Sequence, residues 1–95
     1  MKEELQDLID LLHERKCSCV LRNGEIYTFE RRGVEDLYAL LREQPGLLLG
    51  ADVADKVVGK GAAALMVLGR VRRVYADVLS EPAYGLLFQT GISVS

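Results

Sequence analysis

The sequence predicts a single α/β domain over residues 1–95, a three-layer α/β/α sandwich around a mixed sheet. Three observations support this prediction. A hairpin signal, CSCVLR-NG-EIYTFE, lies in the N-terminal third of the chain. A strand, a helix and another strand follow one another near the C-terminus, which favours a parallel crossover. Apolar residues with helical spacing lie between these strands, and both faces of the hairpin carry apolar residues, so helices are expected on both sides of the sheet.

The first elements are an amphipathic helix and the hairpin. Four apolar residues near the N-terminus recur with helical spacing: Leu5, Leu8, Ile9 and Leu12. Their spacing predicts a helix over residues 2–15. Asn23-Gly24 between two β-rich segments predicts a type I′ turn, and its two-residue loop would pair Arg22 with Glu25.

Two further helices are predicted in the middle of the chain. The first covers residues 34–43 and ends at Gln44-Pro45-Gly46. A loop follows, and the next helix covers residues 55–69. This helix is apolar on nearly all sides, which predicts that it is buried. Gly59 and Gly61 are unfavourable inside a helix, so a close approach by a strand or a ligand is expected there.

The C-terminal part predicts a strand, a helix and a short final strand. VRRVYADVLS, residues 71–80, is typical of a strand, and the basic run at 70–73 is interpreted as solvated surface. Pro82 in the first turn predicts a helix start, with Ser80 or Glu81 as the N-cap. ISVS then predicts a last, short strand.

Composition limits the classes of partner and location. A formal net charge of −2 gives no basic surface for nucleic acid, so no nucleic acid partner is expected. No apolar run approaches the roughly 20 residues of a membrane span, so no membrane partner is expected. The acidic, amphipathic N-terminus is unlike a signal peptide, which predicts a cytoplasmic protein. Cys17 and Cys19 are interpreted as buried apolar residues and His13 as a helix-end residue, so no metal or cofactor is expected.

A candidate ligand site follows from two lysines at the start of the predicted 55–69 helix. Positive side chains are mildly unfavourable at a helix N-terminus. If the helices starting near 55 and 82 pack side by side, five residues share one small area: Asp55, Lys56, Lys60, Ser80 and Glu81. Neighbouring acids could pair with the lysines, an anionic ligand could bind between them, or the lysines could simply be solvated.

Three segments carry a resemblance to a known family: GADVADKVVGKGAAALMVLG, VYADVLSEPA and GISVS. They closely resemble a family of uncharacterised bacterial and archaeal proteins, a domain of unknown function that is similar in fold to cytidine deaminases. Zinc deaminases carry a His or Cys ligand with a catalytic Glu on one helix and Pro-Cys-x-x-Cys on another. Here Pro82 is kept, whereas Ala83 and Leu86 stand at the cysteine positions, and Ala54-Asp55-Lys56 stands about where the first motif would be. The resemblance therefore implies a deaminase-like fold without zinc-dependent deamination.

The function predicted from these observations is a non-catalytic domain that binds a small anionic or nucleotide-like ligand at a degenerate deaminase-type site. Lys56, Lys60, Ser80 and backbone N–H groups would contact the ligand. A metal-free enzyme that uses Lys56 with Asp55 or Glu81 is an alternative, and no catalytic residue is assigned. A second alternative is an interaction module that forms a homo-oligomer, such as a dimer.

Overall fold

The computed structural model of the chain describes residues 5–31 and 34–95, which form a five-stranded mixed sheet with helices on both faces. The predicted three-layer α/β architecture is confirmed. The elements in chain order are α1 (Gln6–Glu14), β1 (Cys19–Asn23), β2 (Glu25–Phe29), α2 (Glu35–Glu43), α3 (Pro45–Leu48), β3 (Asp52–Val58), α4 (Lys60–Gly69), β4 (Arg73–Leu79), α5 (Glu81–Gln89) and β5 (Ser93–Val94). None of the helices in this described part is long and apolar enough to cross a membrane.

The strand order determines which chain ends meet. The order is β2-β1-β3-β4-β5, with β1 antiparallel to both β2 and β3, whereas β3, β4 and β5 are mutually parallel. The start of β1 therefore lies at the same edge of the sheet as the carboxyl ends of β3 and β4. In open α/β sheets this carboxyl edge is where ligands bind.

The sheet separates two cores. On one face α1 packs over a small cluster: Leu8, Leu12, Cys17, Val20 and Ala54. On the other face α2, α4 and α5 cover the main core, which contains Leu21, Val53, Met66, Val74 and Leu87. Cys17 and Cys19 are 3% and 6% exposed, as predicted, but they pack into different clusters. Helices on opposite sides of the sheet therefore contribute to stability by apolar burial.

One predicted boundary is wrong, and it concerns the centre of the sheet. Residues 52–58 form β3, and the helix predicted over 55–69 is α4, which begins at Lys60 with Gly59 as its N-cap. Asp55 therefore lies on a strand, and Lys56 and Lys60 do not share a helical face. The strand escaped detection because its first four residues are all buried, so no alternation of polar and apolar residues marks it.

The expected close approach of a strand to Gly59 and Gly61 is also wrong, and the alternative of a ligand there stays a prediction. A Cβ atom added at Gly59 would meet nothing within 4 Å, and one at Gly61 would lie 3.8 Å from Val34 Cγ1. The close approach occurs instead at Gly69, the last residue of α4, where an added Cβ would lie 2.7 Å from Leu48 Cδ1 and 2.8 Å from Leu48 Cβ. Gly69 thus allows α3 to pack directly against the end of α4.

The hairpin is confirmed, with a register one residue away from the predicted one. Gly24 makes the turn with a φ of 77°, and Asn23 pairs with Glu25. Asn23 is the last residue of β1, and its side-chain amide donates hydrogen bonds of 3.0–3.1 Å to carbonyl groups around α3. In the N-terminal helix, residues 2–4 of the predicted 2–15 span lie outside the described residues, and α1 begins at Gln6.

A buried carboxylate holds the amino-terminal edge of the parallel strands. Asp52 is 1% exposed and accepts hydrogen bonds from Arg22 at 3.1 Å, Arg72 at 2.9 Å and Arg73 at 2.8 Å. Burial alone would raise the pKa of Asp52, but the hydrogen bonds from Arg73, Arg72 and Arg22 outweigh it and hold the pKa well below its ordinary value. The interpretation of residues 70–73 as solvated surface is therefore wrong for Arg73, which is 18% exposed.

We expect Gly69→Ala to destabilise the fold by about 1–3 kcal/mol, because the new methyl group overlaps Leu48 in a packed region. Urea unfolding measures this change. Gly85→Ala on α5 is the matched control, since its added Cβ meets nothing within 4 Å. The control should be stabilised by about 0.5–1 kcal/mol through helix propensity. Equal stability of the two variants would contradict the close packing of Leu48 on Gly69.

We expect Asp52→Asn to lower the free energy of unfolding by about 3–5 kcal/mol, because it leaves guanidinium groups around a neutral, buried side chain. Chemical denaturation at neutral pH is the measurement. Glu43→Gln removes a carboxylate that pairs with Arg42 at 2.9 Å on the surface, where both side chains are at least 60% exposed. That control should change stability by less than about 1 kcal/mol. If Asp52→Asn and Glu43→Gln lower the free energy of unfolding by equally small amounts, Asp52 does not stabilise the amino-terminal edge of the parallel strands.

Candidate functional site

A cavity lies at the carboxyl edge of the sheet, where β3 extends past β1. The last β1–β3 pair is Cys19 with Asp55, and β3 continues to Val58. The chain that connects α1 to β1 covers the extension, and the Lys56 N–H donates to the Ser18 carbonyl at 3.1 Å. The resulting cavity has a volume of about 740 Å³, and its walls are formed by His13, Glu14, Arg15, Lys16, Cys17, Ser18, Glu30, Asp55, Lys56 and Val57. This volume lies in the range of small-molecule sites, roughly 300–1,000 Å³.

The cavity walls carry charges of both signs. Three cationic side chains, Arg15, Lys16 and Lys56, are exposed to solvent and line it. Exposed carboxylates are present at Glu14 and Glu30. The cations come from two separate segments, the α1–β1 connection and the end of β3, so an anion in the cavity can be contacted from two sides.

Asp55 is the buried titratable group of the cavity. It is 7% exposed, and its Oδ1 accepts a hydrogen bond from the Val57 N–H at 3.3 Å. Burial raises the pKa of Asp55 to about 6, against the opposing effect of backbone N–H groups of Val57 and Lys56, and the charge of Asp77 adds to the rise. Near neutral pH this carboxyl group is consequently close to the point where it exchanges its proton.

A polar network lies beside the cavity on the α1 side of the sheet. His13 Nε2 lies 2.8 Å from Asp77 Oδ1, and the Tyr75 hydroxyl donates to the same oxygen at 2.5 Å. Hydrogen bonds from Tyr75 and His13 lower the pKa of Asp77, and the charge of Lys56 contributes to the lowering. The sequence placed His13 correctly at the end of a helix but gave no sign that it would reach β4.

The structure divides the predicted site residues into two groups. Asp55 and Lys56 line the cavity, whereas Lys60, Ser80 and Glu81 do not. The latter three lie at the starts of α4 and α5, and these starts are adjacent because the Ser80 N–H donates to the Val58 carbonyl at 3.1 Å. Ser80 is the N-cap of α5, and its Oγ accepts a hydrogen bond from the Ala83 N–H at 3.2 Å. Within the described residues, Lys56 forms no ion pair with Asp55 or Glu81.

Sequence reasoning missed most of the cavity wall, the segment from His13 to Ser18. Its position depends on how far β3 extends beyond β1, which no local pattern reports. The placement of Ala54-Asp55-Lys56 at the first deaminase motif is wrong, because that motif belongs at a helix start and these residues lie on β3. Across residues 5–31 and 34–95, no three His, Cys, Asp or Glu side chains are grouped so that they could hold a metal ion.

Comparison with solved structures places this architecture among known folds. The crystal structure of a DUF1893 family protein (TM1506) from Thermotoga maritima matches with a TM-score of 0.85 and 25% identity, over 100% of this chain and 66% of that chain. Acinetobacter baumannii RibD matches with a TM-score of 0.60 and 16% identity, over 96% of this chain and 33% of that chain. The second match shows a likeness of fold alone. The chain thus spans about two thirds of the Thermotoga protein and a third of RibD.

Sequence comparison identifies the family. No functionally curated protein matches the chain. The model of one family, described as a domain of unknown function, DUF1893, matches residues 7–95. This match covers nearly the whole chain and agrees with the Thermotoga structure, and the chain therefore belongs to the DUF1893 family.

Proposed function

We propose that this domain binds a small anionic or nucleotide-like ligand in the cavity at the carboxyl edge and does not carry out zinc-dependent deamination. The observation that carries the proposal is the convergence of Arg15, Lys16 and Lys56 on one cavity of about 740 Å³. Each cation alone would be an ordinary solvated side chain. Together, on two segments that face one space, they can form charge-assisted hydrogen bonds to a single anionic group.

An apolar surface beside the cations supports a ligand with an organic part. Val57 lines the cavity and is 63% exposed. Its partner on β4, Val78, is 60% exposed. Two exposed valines side by side on central strands are unusual, because such positions are normally buried. A flat or aliphatic group of a ligand in the cavity can contact Val57 while its anionic group contacts the cations of the wall.

The residues at the starts of α4 and α5 are the reason that we propose no zinc-dependent deamination. The family resemblance places zinc ligands at the starts of two neighbouring helices, and α4 and α5 are such a pair. Ala83 and Leu86 on α5 have aliphatic side chains, and α4 begins with Lys60 and Gly61. Neither helix start offers a thiolate or imidazole, so the donor set does not fit a deaminase-type zinc centre.

We expect Lys56→Ala to weaken binding of inorganic phosphate or of a nucleoside monophosphate at least about tenfold, the effect of one lost charge-assisted hydrogen bond. Isothermal calorimetry at low ionic strength measures the affinity. Lys60→Ala is the informative comparison, because Lys60 lies at the start of α4 and outside the cavity wall. Arg42→Ala removes an exposed cation of α2 and is the control for loss of positive charge.

The outcomes separate the cavity from the helix starts. Loss of affinity in Lys56→Ala, with Lys60→Ala and Arg42→Ala unchanged, supports binding in the cavity. Loss in Lys60→Ala with Lys56→Ala unchanged would move the anion to the start of α4 and refute the proposal. Equal small losses in all three variants would indicate attraction by net charge alone, with no specific site.

Asp55 gives a second, pH-dependent prediction about the cavity. Its folded-state pKa of about 6 exceeds the ordinary value, about 3.9, of the unfolded chain. Its contribution to stability is therefore fully present below about pH 4 and is lost as the pH rises through about 6. We expect Asp55→Asn to match wild type near pH 4 and to be more stable by about 3 kcal/mol near pH 8, as measured by chemical denaturation.

The control for this measurement is Asp10→Asn on the exposed side of α1, which should follow the wild-type curve at every pH. A residue whose replacement stabilises the fold is typical of a position kept for function. Parallel stability curves for wild type and Asp55→Asn would contradict the burial of an ionised Asp55 in the cavity wall.

A further inference from the structure

Two aspartates on β3 are both buried but differ in their charge environment. Asp52 is 1% exposed and accepts hydrogen bonds from three guanidinium groups. Asp55 is 7% exposed and, within the described part of the chain, forms no ion pair and accepts hydrogen bonds from backbone N–H groups alone. A buried carboxylate without a cation is costly, because desolvation is not balanced by an opposite charge.

The groups that face Asp55 do not supply this charge. Asp77 on β4 is an acid. Cys19 on β1 is a thiol, and its pKa is raised by burial and by the charges of Asp55 and Asp36. The charge of Lys56, the next residue along β3, lowers the pKa of Asp77 on the α1 side, whereas Lys56 acts on the pKa of Asp55 through its backbone N–H. Successive strand residues point to opposite faces, which explains why the ammonium group does not neutralise its neighbour.

We infer that the ligand of this cavity is a small zwitterion whose protonated amine or amidine binds the Asp55 carboxylate while its anionic group binds Lys56 with Arg15 and Lys16. The inference rests on the proposed function and adds the second half of the ligand. Both Asp55 and Lys56 line the cavity, so one molecule can contact both. An ammonium group of the ligand would act as the counter-charge of Asp55, in the way that the guanidinium groups act for Asp52.

The ligand class that meets these conditions comprises amino-phosphates and amino-carboxylates, molecules with a cation and an anion a few bonds apart. A purely anionic ligand would place negative charge beside a buried carboxylate, which Coulomb repulsion disfavours. A zwitterion avoids this repulsion. The cavity should therefore prefer it over an anion of the same size, and the preference should depend on ionisation of Asp55.

The experiment compares two probes that differ by one amine: O-phosphoethanolamine and ethyl phosphate. Calorimetry or ligand-observed NMR gives the affinity of each from about pH 5 to about pH 8. Both probes carry a phosphate monoester, so the comparison varies the amine and keeps the anionic group. We expect O-phosphoethanolamine to bind about tenfold more tightly near pH 8, the effect of one hydrogen bond between charged groups, with the ratio falling towards one near pH 5.

Variants assign the effect to residues. Asp55→Asn should abolish the preference at every pH without weakening the binding of ethyl phosphate, and Asp10→Asn should retain the preference. Lys56→Ala should weaken the binding of both probes and leave the ratio of their affinities unchanged. Circular dichroism confirms folding of each variant, and the pH series on the wild-type protein tests the inference independently of any substitution.

The outcomes distinguish this inference from the proposed function. A preference that is present in wild type, falls at acid pH and is absent from Asp55→Asn supports it. If ethyl phosphate binds through Lys56 but the amine gives no gain, or if the gain survives in Asp55→Asn, the inference is overturned and anion binding stands. If neither probe binds at millimolar concentration, the anion site and the zwitterion inference both fall.

Discussion

The parallel pairing of β3 with β4 is the constraint from which both the core and the cavity follow. These two strands form the centre of the sheet, and helices from both sides cover them, which leaves four consecutive buried residues at the start of β3. Parallel strands have their carboxyl ends at one edge, so α4 and α5 begin there together. Because β1 is antiparallel to β3, the start of β1 and the connection from α1 meet the same edge. A different orientation of β3 would disperse all of these segments.

The two acids of β3 show that burial by itself does not define a role for a charged residue. At the amino edge, Asp52 receives three guanidinium groups, and Arg72 and Arg73 reach it because they directly precede or begin the parallel neighbour β4. The charge is satisfied inside the fold, and its removal is expected to be harmful. At the carboxyl edge, Asp55 is buried in the cavity wall near the Cys19 thiol, and its carboxylate accepts hydrogen bonds from backbone N–H groups. Its charge is not satisfied by the described chain, which is the condition expected of a residue that acts on something outside the fold.

Much of the fold could be predicted from local patterns, and the failures have physical causes. Local sequence patterns predict four elements: turn residues mark the hairpin, apolar residues with helical spacing mark α1 and α2, and capping residues mark α5. β3 has no such pattern, because a central strand buried on both faces shows no alternation of polar and apolar residues. Its aspartates also resemble the acids that are common at a helix start. The ion pairs that allow Asp52 to be buried involve residues 20 to 30 positions away. Such partners are visible only after the sheet has been assembled.

The structure changes the physical reason for proposing Asp55 and Lys56 as site residues. The sequence pattern predicts that they are neighbours at a helix N-terminus, whereas they are neighbours at a strand end. The relation between them changes accordingly: on a helix they would share a face, whereas on a strand they point to opposite faces and cannot neutralise each other. The separation of an acid and a base by the strand geometry, at an edge with a cavity, gives one small space two opposite charges. RibD shares this sheet in outline, yet fold alone does not transfer chemistry. In this chain the side chains at the carboxyl edge, fixed in alternation by β3, favour recognition of a ligand that carries both signs of charge.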